Sequence, residues 1–145
     1  MFLKDMEQKY PEPTVGALIF NPEGEILLVK SHKWKEKYTI PGGHIDLVER
    51  MEDALKREIK EETGLDIYDI KFICFQEFIF DQGFYKKKHF IFFDFACRTD
   101  STDVKLNEEA EEYAWVTLEE SLDLDIDPYT KNTIEEYIRK KSLNL

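Results

Sequence analysis

The chain has 145 residues, room for one domain with a real core, and its 42% hydrophobic and 14% aromatic content is that of a globular protein, not a disordered one. A formal net charge of −11, from 31 acidic and 20 basic residues, argues against a nucleic-acid backbone or an anionic membrane as partner. Two cysteines, Cys74 and Cys97, are too few for a disulfide framework and show no zinc spacing.

The first ten residues, MFLKDMEQKY, lack the apolar run of a signal peptide, and no window approaches a membrane span. The expected location is the cytoplasm. Residues 14–20 and 25–30 read as strands, with NPEG as the turn of a hairpin. A short strand at 38–40 runs into PGG. Residues 49–63 take a helical pattern, with Gly64 as its C-terminal cap. Long aromatic strands follow at 71–80 and 88–98, joined by a loop around DQGFYKK. A short strand at 113–116 precedes Thr117 and Glu120, spaced as a capping box. Pro128 opens a final helix to about 140, with Tyr129, Ile134, Tyr137 and Ile138 as its expected buried side. Strands and helices mix without βαβ alternation, which predicts an α+β fold, a mixed sheet flanked by helices.

The chemistry is concentrated in residues 41–67, PGGHIDLVERMEDALKREIKEETGLDI. At 100° per residue, Met51, Ala54, Leu55 and Ile59 form the apolar stripe of the helix. Glu58 and Glu62 project within that stripe, and Glu61 lies at its edge. Two like charges at i,i+4 repel each other, and near a core each also loses hydration. A solvated acidic face with lysine and arginine counterions is one reading of this helix. A bound Mg²⁺, which takes carboxylate oxygens and bridges them to phosphates, is the other.

The spacing bears on that choice. Gly43, then Glu49 five residues on, then Arg57, Glu58, Ile59, Glu61, Glu62, Gly64 and Leu65 fit the pattern G-x5-E-x7-R-E-U-x-E-E-x-G-U, where U is a bulky apolar residue. Seven fixed identities at roughly one in fifteen each make chance agreement of the order of 10⁻⁹ per start position. The segment resembles the signature of the Nudix hydrolase family. The resemblance implies a single Nudix domain over residues 1–145, with the mixed sheet sandwiched between helices. It implies Mg²⁺, or Mn²⁺, held by Glu58, Glu61, Glu62 and the backbone carbonyl of Gly43, with Arg57 orienting Glu49. Gly42 and Gly43 suit a tight turn that brings backbone close to the ions. Glu58 is the first choice of general base and Glu49 the second. One departure is visible: many members carry Gly where this chain has Val48.

Outside the helix, Glu112 is the candidate for a further metal-binding carboxylate and Glu109 the alternative; a solvated acidic loop is the plainer reading of both. For the rest of the substrate the candidates are Trp34, Lys35 and Tyr85, among Lys33, Lys37, Tyr38 and the mixed rings and cations of residues 84–88. His32, His44 and His89 have no metal-ligand spacing. The stretch KLNEEAEEYAWVTLEESLDLDIDPYTKNTI is similar to the C-terminal part of bacterial nucleoside triphosphatases of the superfamily. That similarity implies a nucleoside (deoxy)triphosphate as substrate and monophosphate plus pyrophosphate as products. A nucleoside-diphosphate-sugar or related diphosphate hydrolase, and a Nudix module that binds a nucleotide without cutting it, are the alternatives. A homodimer is implied by the resemblance alone.

Overall fold

The computed structural model describes residues 8–144; the N-terminal stretch read above as lacking a leader lies almost wholly outside them. Among the described residues no helix is long and apolar enough to cross a membrane.

The chain runs β1 (Glu12–Phe20), β2 (Ile26–Lys30), β3 (Tyr38–Thr39), β4 (Gly42–His44), α1 (Met51–Thr63), β5 (Tyr68–Ile79), β6 (His89–Arg98), β7 (Glu112–Val116), α2 (Leu118–Ser121) and α3 (Pro128–Ser142). The strands form one sheet in the order β3-β2-β1-β6-β5, with β4 added to β1 and β7 to β2. The sheet is mixed because β1 and β6 run parallel over their whole length, Glu12 to Phe20 against Phe90 to Arg98, while the other pairings are antiparallel. The turn after β1 is set by Asn21, whose side-chain oxygen accepts from the amides of Glu23 and Glu25, and by Gly24 at φ 79°.

Each face of the sheet buries one apolar cluster under one helix. Ala54, Leu55 and Ile59 of α1 pack on Val15, Ala17, Ile19, Leu27, Phe95 and Cys97. On the other face Ile134 and Tyr137 of α3 meet Leu18, Ile26, Leu28 and Ile73. This is the predicted sandwich. Two details differ from the periodicity reading. Met51 is exposed, because it stands in the first turn and its side chain points back past the helix start. Ile138 is exposed as well; α3 turns Thr130, Thr133 and Ile134 inward, one step around the helix.

The caps follow the sequence. Gly64 closes α1 in the left-handed conformation, and Thr117 and Glu120 make a reciprocal capping box on α2. Asp127 caps α3 ahead of Pro128. Strand β5 starts three residues earlier than predicted, since register shifts near Tyr68 and Phe72 carry the pairing past Asp69 at φ 55°.

Gly42 and Gly43 lie in β4, not in a turn. They are glycines because of close approach: a Cβ on Gly42 would strike the Val15 carbonyl, and one on Gly43 would strike the Glu58 carboxylate. The loop from β4 to α1 also explains the departure at Val48. This residue adopts φ 65° with its side chain wholly in solvent. A β-branched residue is strained there, whereas glycine is not. Val48→Gly loses no packing and is expected to raise stability by about 1 kcal/mol, read as a higher urea midpoint at unchanged m-value.

Candidate active site

One cleft carries Gly43, Glu58 and Glu62 of the motif, and it opens where the sheet parts. Strand β1 pairs with β2 at Phe20 but with β4 at Thr14–Gly16, so two strands leave the same side of β1 in different directions. The cleft between them has a carboxylate end and an aromatic end.

Helix α1 supplies the carboxylate end. Glu62 is buried, and its carboxylate accepts from the Gly42 amide at 3.2 Å. Glu58 is mostly buried opposite Gly43. The loop before β7 is tied to the end of α1 by Lys105 N–H to Thr63 O, 2.8 Å, and Asn107 N–H to Glu62 O, 3.2 Å. These bonds bring Glu109 to the cleft beside Glu62. Burial pushes the Glu62 carboxyl up to about 8, with the charges of Glu109 and Glu58 adding to it. Burial raises Glu58 as well, against the pull of Arg57.

Arg57 organises the rest of the motif. Its guanidinium grips Glu49 with two bonds, Nε to Oε2 at 2.8 Å and Nη2 to Oε1 at 3.0 Å. It also donates to Glu58 at 2.9 Å, to Glu61 at 3.3 Å and to the His44 carbonyl at 3.0 Å. Glu49, held by Arg57 and by the Asp46 amide, is lowered to about 2. Among the described residues no three side chains of ligating type already converge on one point. Arg57 holds Glu58 and Glu61 at its guanidinium, while Glu62 turns to the Gly42 amide.

Three choices made from the sequence change places. Glu112 forms an ion pair with Lys30 at 3.2 Å, its partner across β2 and β7, and does not line the cleft; Glu109 does. Lys35 is exposed at a left-handed turn, while Lys33 lines the cleft and its charge reaches Glu62. Lys37 pairs with Asp125 at 2.8 Å. Tyr85 points to solvent and its neighbour Phe84 lines the cleft. Trp34 lines the cleft, with its ring 4.5 Å from Phe84 and 5.5 Å from Phe78.

The aromatic end holds residues the sequence reading passed over. Phe90, Phe92 and Asp94 share one face of β6, and Tyr129 and Thr130 arrive from α3. The first turn of α3 is stitched to β3 through Asp127 N–H to Tyr38 O, 3.0 Å, and Ile40 N–H to Thr130 Oγ1, 3.2 Å. Asp94 is buried, accepts from the Thr133 hydroxyl at 2.6 Å and is pushed up to about 6 by desolvation. Its signal in the sequence was a lone carboxylate on the period-2 face of an otherwise aromatic strand.

Because the folded-state value of Asp94 lies above its ordinary 3.8, the folded chain holds a proton that the unfolded chain releases. The stability this lends is complete below pH 3.8 and lost as pH rises through 6. Asp94→Asn, which keeps an acceptor for Thr133, is therefore expected to be more stable than the parent at pH 8, by up to about 3 kcal/mol. The difference should vanish near pH 4, and denaturant titrations across that range measure it.

Comparison with known proteins agrees with this architecture. The NUDIX domain model matches residues 10–137. The chain is 34% identical over 131 residues to the nucleoside triphosphatase NudI of Escherichia coli, covering 83% of this chain and 93% of that one. It is 30% identical over 133 residues to the NudI of Klebsiella pneumoniae, covering 85% and 94%. Among solved structures it resembles the MutT protein of Methanosarcina mazei, with TM-score 0.76, 28% identity and coverage of 93% and 99%. With a signature motif, a mixed sheet between helices and relatives of matching length all in agreement, the chain belongs to the Nudix hydrolase family.

Proposed function

We propose that the protein hydrolyses a nucleoside or deoxynucleoside triphosphate to the monophosphate and pyrophosphate, with Mg²⁺, or Mn²⁺ in its place. The observation that carries this reading is the cleft itself. Buried carboxylates under a bare backbone stand at one end, and a box of aromatic rings stands at the other. A triphosphate and a base have the same polarity along their length. The NudI relatives, named as nucleoside triphosphatases, support the same substrate class.

The donor set suits a hard divalent cation. Glu58, Glu61, Glu62 and the Gly43 carbonyl offer only oxygen, and among the described residues Glu62 has no cationic partner in direct contact to balance a charge. Glu109 is the outside carboxylate the geometry favours over Glu112. When bound, divalent ions neutralise the phosphate oxygens and acidify a water. Glu58 is the better placed to take that water's proton, because burial raises its basicity while Arg57 and the Asp46 amide hold Glu49 low. Arg57 keeps Glu49 and the β4–α1 loop in place. Lys33 faces the phosphates, and Trp34, Phe84, Phe90 and Phe92 exclude water around the base.

Incubation with Mg²⁺ and a nucleotide panel, with products identified, tests the proposal. Monophosphate plus pyrophosphate is expected. A sugar phosphate plus monophosphate would identify a nucleoside-diphosphate-sugar hydrolase, and tight binding without turnover would identify a binding module. Glu62→Gln is expected to lower turnover at least about a hundredfold. Its stability without metal should change by less than about 1 kcal/mol at pH 7, because Glu62 is largely protonated there and the amide keeps the Gly42 bond. Mg²⁺ binding must displace that proton. Affinity measured by calorimetry should therefore rise with pH up to about 8 and then level off.

A further inference from the structure

We infer that a second cavity, at the last turns of α3, binds a small oxyanion carried on a flat ring, an aryl phosphate in its simplest form. This cavity lies apart from the catalytic cleft, and its ligand is independent of which diphosphate that cleft cleaves.

Three observations carry it. The first is the place. Helix α3 runs from the cleft to the cavity: Tyr129 in its first turn lines one, and Tyr137, about 12 Å further along, lines the other. On β6 Asp94 lines the cleft and Arg98, about 13 Å on, lines the cavity. The cavity holds about 400 Å³, the size of a small-ligand site. One wall is the irregular part of β5. A register slip between Phe72 and Cys74 leaves Ile73 without a partner on β6, and the Ile73 carbonyl accepts from the Lys140 ammonium instead.

The second is charge. Lys71, Arg98, Lys140 and Lys141 line the cavity against a single acid, Asp69. The chain as a whole carries −11, so the sign is reversed here. The helix dipole accounts for lysines at the end of α3. It gives Lys71 of β5 and Arg98 of β6 no reason to converge on them. Asp69 stands 4.0 Å from Lys71, and among the described residues Arg98, Lys140 and Lys141 form no ion pair. Lys140 is half-buried, with its ammonium also facing the Phe72 ring at 5.8 Å. The Ile73 carbonyl holds that charge at the wall and leaves two of its three N–H donors for a ligand.

The third is a ring surface beside the charges. Phe20 and Tyr137 stand with centroids 5.0 Å apart, and Phe72 adds a third ring. The parallel pairing of β1 and β6 puts Phe20 directly beside Arg98. The charge of Lys71 reaches the Tyr137 hydroxyl, so cations and rings share one space.

Cations gathered without a counter-anion repel one another, and an oxyanion removes that repulsion. The Arg98 guanidinium offers it a planar pair of donors. Rings next to the cations favour an anion with a flat apolar body, because neither half alone covers the whole surface. A phosphate monoester, which carries up to two charges, matches three unpaired cations better than a carboxylate does.

Binding of phenyl phosphate to the full chain in EDTA, followed by amide NMR, tests the inference. Without divalent ions the acidic end of the catalytic cleft repels the probe. Saturable shifts are expected around residues 69–73, 96–98 and 137–141, with affinity at least about tenfold above that for inorganic phosphate. Arg98→Gln and Lys140→Met are each expected to weaken binding at least about fivefold. Lys140→Met also loses the bond to Ile73, so Arg98→Gln, at an exposed strand end, decides the matter if the lysine variant does not fold. Failure to saturate by about 10 mM, affinity no better than that of inorganic phosphate, shifts confined to the cleft, or unchanged affinity in Arg98→Gln overturns the inference.

Discussion

The structure depends on how closely the backbone of β4 approaches the carboxylates of α1. Gly43 has no side chain because Glu58 occupies that space, and among the described residues the Gly42 amide is the one hydrogen-bond donor that reaches Glu62. Around this contact the chain tolerates what a stability-optimised fold would avoid: two carboxyl groups one helical turn apart, both desolvated, with a third acid beside them. Arg57 offsets part of that cost by binding Glu49, Glu58 and Glu61 at once. A strained local arrangement held by a well-packed surround is the usual physical mark of a working site. The apolar clusters on both faces of the sheet are what make it tolerable.

The sheet topology decides what this contact can serve. The parallel pairing of β1 and β6 sets Asp94 beside Gly16, and β4 sets Gly42 on the other side of the same residue. Three strands therefore span the distance from the acids to the aromatic box. Helix α3 closes that box because its first turn is bonded to β3. One face of α3 carries threonines where an ordinary amphipathic helix would carry leucine. Their hydroxyls bond Asp94 and the Ile40 amide.

Much of this was legible in the chain. Helix α1 was visible through its period, its glycine cap and the fixed spacing of its acids. The start of α2 and of α3 was visible because a threonine, a glutamate and a proline each have a local reason to be where they are; the cap by Asp127 was found in the structure. The inward direction of Glu58 and Glu62 followed from 100° per residue alone. What was not legible depends on contacts between distant segments. Glu109 and Glu112 are three residues apart, and only the bonds of the preceding loop to the end of α1 choose between them. Lys33 and Phe84 face the cleft while Lys35 and Tyr85 do not, because the Tyr85 amide bonds to the Lys33 carbonyl and fixes how the two loops meet. The place of Asp94 in the cleft is invisible until β6 is laid against β1.

Strand β5 ends the sheet among the described residues and leaves Phe72, Phe75 and Ile79 in contact with water. A straight, apolar border of that length would invite a second chain to extend it. The two register slips near Tyr68 and Phe72 bend the ribbon, and Asp69, Lys71 and Glu77 punctuate it with charge. The irregularity that spoiled a simple reading of this strand thus acts as a guard against unwanted self-templating at this margin of the sheet.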